Sequence, residues 1–128
     1  MSNLKVDNIQ ATGETATRAV SGVAGSWVNF DGTGTIAVRN SANVASLTDN
    51  GSGDYTIDWT NTFGAADYAP SGMCSRDGAA DRWSYIVTID SLSTTATRVR
   101  VTGENSGTAV AASQDVAIVS TLAHGDLA

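Results

Sequence analysis

Cysteine, proline, histidine and lysine each occur once in this chain of 128 residues, and each scarcity excludes something. A lone Cys74 forms no internal disulfide, so burial and hydrogen-bonded ladders must hold the fold, with neighbouring subunits as further support. A single proline rules out a Pro-rich disordered linker. One lysine and scattered arginines, against thirteen acidic groups and a net charge of −6, leave no cationic footprint for binding nucleic acid or adsorbing to an anionic bilayer. No apolar run approaches the roughly 18–20 residues that span a membrane. The opening "MSNLKVDNIQATGETATR" lacks a signal-peptide core, so assembly in a cytoplasm without membrane insertion is expected.

Catalytic chemistry is equally thin. His124, expected on a C-terminal tail, is the only histidine, and Cys74 has no partner at zinc-ligand spacing. A Ser-His-Asp site would have to use His124, and no motif surrounds any serine. Asp54, Asp58 and Glu104 are acidic enough for glycoside hydrolysis, but solvated strand-face and loop carboxylates account for them more simply. The expectation is a protein that is not an enzyme and needs no cofactor.

What fills the chain is Thr, Ser, Ala, Gly and Asn, with few of the Lys, Glu and Leu that build helices. The length suits one domain with one core. Residues 1 to about 24 keep no persistent period and read as an extended arm, with Leu4, Val6 and Ile9 as anchors for attachment or exchange between subunits. From Trp27 the pattern turns to alternation. "WVNFD" and "TIAVR", joined by "GTGT", read as a hairpin, with Val28 and Phe30 on one face, and Ile36 and Val38 paired likewise. "NSANVASLTDNGSGD" has room for a short strand, and "DYTIDWT" sets Tyr55, Ile57 and Trp59 against Asp54, Thr56, Asp58 and Thr60.

"NTFGAADYAPSGMCSRDGAADR" reads as a long excursion with a little extended structure near Tyr68. "WSYIVTID" aligns Trp83, Tyr85, Val87 and Ile89. "TRVRVT" turns Val99 and Val101 inward and Arg98 and Arg100 outward; "ENSGT" is a turn, and "QDVAIVSTLA" closes the domain. Six or seven short strands at this spacing predict an all-β fold: a small antiparallel β-sandwich or jelly-roll-like domain over 25–128, behind the arm of 1–24.

Asp49, Asn50 and Asp54 in "DNGSGD" carry oxygens of the kind calcium prefers, but the loop fails the EF-hand pattern and is too short to wrap such an ion. Asn and Asp before glycine are also what a tight turn requires, and the turn is the favoured reading. Trp59 and Trp83 share faces with core residues. Trp27 falls opposite Val28 and Phe30 and is assigned to a subunit partner. Arg98 and Arg100 are expected to pair with carboxylates, within or between subunits.

The stretch 27–69 resembles a domain of tailed-bacteriophage virion proteins, especially tail-fibre and tip proteins of marine phages. The likeness is carried by W-V-x-F-x-G-T-G-T at Trp27–Thr35, S-x-N-V at Ser41–Val44, D-N-G-x-G-D-Y-T-I at Asp49–Ile57, and Tyr68 beyond. "DVAIV" (115–119) is similar to that family's closing strand, and "LKVDNIQ" to the attachment leader of phage fibres. The resemblance implies a virion-surface structural protein, commonly a homotrimer, contacting other tail or baseplate proteins and a host surface glycan. It carries over no catalytic residue. A capsid decoration or head-fibre protein, bound to capsid protein, fits the length equally; a carbohydrate-binding module is a third alternative.

Overall fold

The computed structural model describes residues 6–9, 18–19, 23–76, 84–105 and 108–128. Leu4, Trp83, the centre of "ENSGT" and most of "SRDGAADR" lie outside the described residues. The strands are β1 (Asn8–Ile9), β2 (Arg18–Ala19), β3 (Ala24–Asp31), β4 (Ala37–Ala42), β5 (Val44–Gly51), β6 (Asp54–Trp59), β7 (Ala69–Ser75), β8 (Ser84–Leu92), β9 (Ala96–Asn105), β10 (Thr108–Ser113) and β11 (Ile118–His124). The fold is all-β and antiparallel, with no helix among the described residues.

Two sheets pack together as a small sandwich. The first has four strands in the order β4-β3-β11-β7. The second runs β10-β9-β6-β5, with β8 on the other edge of β9. Within the arm, β1 pairs with β2, Asn8 opposite Ala19 and Ile9 opposite Arg18, so that stretch turns back on itself where an extended run was expected.

Period-two alternation explains which residues meet in the middle. Ser26, Val28 and Phe30 of β3 and Val119, Thr121 and Ala123 of β11 point inward from the first sheet. Tyr55, Ile57 and Trp59 of β6 and Thr97, Val99 and Val101 of β9 answer from the second. Phe30 meets Tyr55 edge-on across the sheets at 5.0 Å between ring centres. Each large apolar side chain buried here stabilises the fold by about 1.5–3 kcal/mol.

Two tyrosines pin the ends of this core. The Tyr55 hydroxyl lies 2.9 Å from Asp115 Oδ1 and 3.1 Å from the Gly32 carbonyl, tying β6 to the segment before β11. Burial and the Asp115 carboxylate push its titration well above the ordinary tyrosine value, so the hydroxyl remains a donor. At the other end Trp59, Phe63 and Tyr68 cluster, with Phe63 and Tyr68 stacked at 4.1 Å. Tyr68 Oη accepts the Trp59 indole N–H at 3.4 Å, and lies 3.0 Å from the Ser93 and Ala96 carbonyls and 2.6 Å from Thr97 Oγ1.

The chain crosses between sheets at Asn43, whose backbone is left-handed (φ 57°), a conformation Asn tolerates. Its side chain donates to the carbonyls of Gly25 and Asn61 and accepts the Asn61 backbone N–H at 2.7 Å. One amide thus clasps the start of β3, the β4–β5 corner and the end of β6.

Several expectations need correction. The supposed excursion contains β7, a seven-residue strand paired with β11 along its whole length. It escapes notice because its inward residues are Pro70, Gly72 and Cys74, which give no apolar contrast. They are small because β8 closes over them: a Cβ on Gly72 would stand 2.9 Å from a Val87 methyl. His124 is not on a tail but in β11, opposite Ala24 and Ala69. Val38 and Ile89 stand opposite the buried Phe30 and Val99 but on the edge strands β4 and β8, and remain 47% and 36% exposed. The room left for a short strand after Asn43 is filled by the eight residues of β5.

Candidate interaction face

A sandwich has two outer faces, and here they differ in chemistry. On the second sheet, the residues between the buried ones of β6 and β9 are Asp54, Thr56, Asp58, Arg98 and Arg100. The register puts Asp54 opposite Arg100 and Thr56 opposite Arg98. Arg98 grips Asp54 with two bonds, Nε to Oδ1 at 2.8 Å and Nη2 to Oδ2 at 2.6 Å. Arg100 reaches the same carboxylate at 3.3 Å, and Asp90 lies 3.6 Å from Arg98 and 3.5 Å from Arg100. The arginines therefore pair with carboxylates within the chain, one of the two arrangements expected of them, on the face away from Trp27.

The DNGSGD loop (49–54) is the turn between β5 and β6. Asp49 Oδ1 accepts the Gly51 N–H at 2.9 Å, the Asn50 amide donates to Thr56 Oγ1 at 2.8 Å and Asp54 Oδ1 at 3.3 Å, and Asp54 is held by Arg98. The three oxygen-bearing side chains are used in building the hairpin and joining it to β9. The Arg98 bonds, supported by Asn50 and Arg100 against the effect of desolvation, hold the Asp54 carboxyl below its ordinary 3.8. A carboxyl titrating lower in the folded than in the unfolded chain adds stability above the ordinary value, which is lost as pH falls through the folded one. Asp54→Asn should therefore destabilise most near neutrality. Its unfolding curve and that of the wild type should converge in acid below about pH 4, the ordinary carboxylate range, when both are measured by denaturant titration.

The first sheet presents the opposite character. Trp27 and Asn29 alternate outward from β3, Ile118, Ser120 and Leu122 from β11, and Ser71 and Met73 from β7. The register sets Trp27 opposite Leu122 and Leu122 opposite Ser71, then Asn29 opposite Ser120 and Ser120 opposite Met73. The Asn29 amide donates to Ser120 Oγ at 2.6 Å. Trp27 is 37% exposed, Leu122 38% and Met73 79%. Between them runs a groove of about 510 Å³. At the rim Asp31 accepts from Thr33 and pairs with Arg39 at 3.0 Å.

The placement of Trp27 opposite Val28 and Phe30 thus agrees with the structure, and Leu122 and Met73 share its face. Those two were missed because the strand carrying Met73 was missed, and because Leu122 stands in a run of small residues. Val6 is exposed, and of Ile9 the structure gives the backbone pairing with Arg18. Trp59 is buried, so it offers no sugar-stacking surface. Cys74 points toward the core, where desolvation raises its thiol's titration. His124 lines a hollow with Asp67, Tyr68, Ala69 and Asp126.

Comparison with family models, curated proteins and solved structures finds no match to the chain.

Proposed function

We propose that the chain is a structural protein of a tailed-phage particle, a short tail fibre or tail-tip subunit that forms a homotrimer and presents loops to the host surface. The supporting observation concerns the residues that carry the likeness to phage fibre domains. Asn43 clasps the corner between sheets, Tyr55 and Tyr68 pin the two ends, and Val28 and Phe30 fill the middle. These residues hold a disulfide-free sandwich closed, as a rigid external particle component requires. Trp27 is the exception: it belongs to the same motif yet faces outward. A motif tryptophan on an uncharged sheet face suits a subunit that works in an assembly.

In this reading the arm of 1–24 docks the domain onto the tail. Deleting residues 2–20 should leave the sandwich folded and abolish the chain's incorporation into purified particles, measured by mass spectrometry of gradient-purified phage. Unchanged incorporation would remove the docking role.

A further inference from the structure

We propose that the outer face of β3, β11 and β7 is the contact surface for a second copy of this chain, packed with Trp27, Leu122 and Met73 turned toward a common symmetry axis. The inference rests on the reading of the chain as a self-assembling subunit, and it names the surface that does the assembling.

Three observations select a copy of this chain as the occupant. The first is charge. The chain carries a net charge of −6, so two copies repel unless the approaching surfaces are free of carboxylates. The opposite face holds three carboxylates, Asp54, Asp58 and Asp90, against two guanidiniums, Arg98 and Arg100. The outward residues of β3, β11 and β7 between the Asp31–Arg39 rim and His124 are uncharged. It is the side on which like-charged copies can meet.

The second observation is the polar chemistry between the apolar anchors. Asn29, Ser71 and Ser120 are amides and hydroxyls, each both donor and acceptor. Such a set is complementary to itself, whereas a surface built to receive a charged partner would show the opposite charge. Residues lining a symmetry axis of any order lie near their own equivalents in the other copies, and groups that both donate and accept can bond to those equivalents.

The third is the arrangement of the anchors. Trp27 and Leu122 sit in register on adjacent strands, with Met73 one row further on β7. Of the three, the tryptophan and the methionine are residue types enriched at protein interfaces, and Leu122 fills the space beside Trp27.

The test is sedimentation velocity on the full-length chain from about 1 to 100 μM, the weak end of the affinity range of specific interfaces. The wild type should sediment as a multiple of 13.1 kDa. Met73→Glu and Leu122→Glu place carboxylates on the axis and should each weaken association at least tenfold. Asp58→Asn, on the opposite face, should leave it unchanged. Met73 is 79% exposed, so its variant should keep the wild-type thermal midpoint, which separates lost contact from lost fold. A monomeric wild type at all concentrations would overturn the proposal, as would an oligomer indifferent to Met73→Glu. Monomeric chain found in particles would overturn the contact face and leave the virion reading standing. Association through this face by a chain absent from particles would do the reverse.

Discussion

Gly53→Val is expected to lower the unfolding free energy by about 4 kcal/mol, a large share of the roughly 5–15 kcal/mol that holds a typical domain folded. Gly53 sits in the left-handed region at φ 63°, where a side chain costs roughly 1–2 kcal/mol. It is also enclosed: a Cβ would lie 2.5 Å from the Val101 carbonyl oxygen and 2.7 Å from the Gln114 nitrogen. Both neighbours are backbone, so relief means moving the β5–β6 turn away from Val101 of β9 and from Gln114 just after β10. That movement breaks the Val101 N–H bond to the Gly53 carbonyl at 2.7 Å and the Gly53 N–H bond to Asp115 at 2.7 Å. A bond to a charged acceptor contributes about 1.5–3 kcal/mol by itself.

Gly51 is the internal control. Its φ is 131°, but no atom stands within 4 Å of a built Cβ. Gly51→Ala should therefore show the backbone strain alone, about 1–2 kcal/mol. Urea denaturation of both variants separates enclosure from conformation. Equal losses at the two positions would mean that the turn is not anchored to β9 and Asp115 as described.

Tyr68→Phe is expected to cost about 2 kcal/mol, although it removes a single oxygen. That oxygen is the shared partner of the Trp59 indole, the Ser93 and Ala96 carbonyls and the Thr97 hydroxyl. Thr97 is 2% exposed and Trp59 7%, so water does not readily replace the lost partner. The stacking on Phe63 is retained in the variant, which isolates the hydrogen bonds from the packing. Tyr68→Ala removes both and should cost about 3–5 kcal/mol. Chemical denaturation of the pair checks the difference; a neutral Tyr68→Phe would show that the hub contributes no net stability.

These two positions also show where the sequence was readable. Both lie in the stretch 49–68, and Gly53 is legible there as turn material. What made it irreplaceable is a carbonyl from Val101, almost fifty positions away, and no local pattern reports that. The strands that alternate large apolar with polar residues, β3, β6 and β9, were legible because each buries one face and wets the other. β7 was illegible because its inward side is Pro, Gly and Cys, chosen by the approach of Val87 from another sheet. His124 was placed on a tail because chain ends are usually loose, whereas β11 here is a central strand held on both edges by β3 and β7.

The candidate face was half legible for the same reason. Trp27 announced itself by falling opposite Val28 and Phe30 in a strand of known period. Leu122 and Met73 are brought beside it by the order β3-β11-β7, which links the beginning, end and middle of the chain. Arg98 and Arg100 were correctly read as outward and paired. That their partner is Asp54, in the loop once weighed as a cation cradle, follows from the β6–β9 register. Long-range pairing decided each point that local spacing left open.

The most direct test of the virion role is gold-labelled antibody against this protein on intact phage particles that encode it, viewed by electron microscopy. The account predicts label concentrated at the tail or its tip. Label spread over the head would contradict a tail subunit and assign the sandwich to capsid decoration, and unlabelled particles would contradict a virion role altogether.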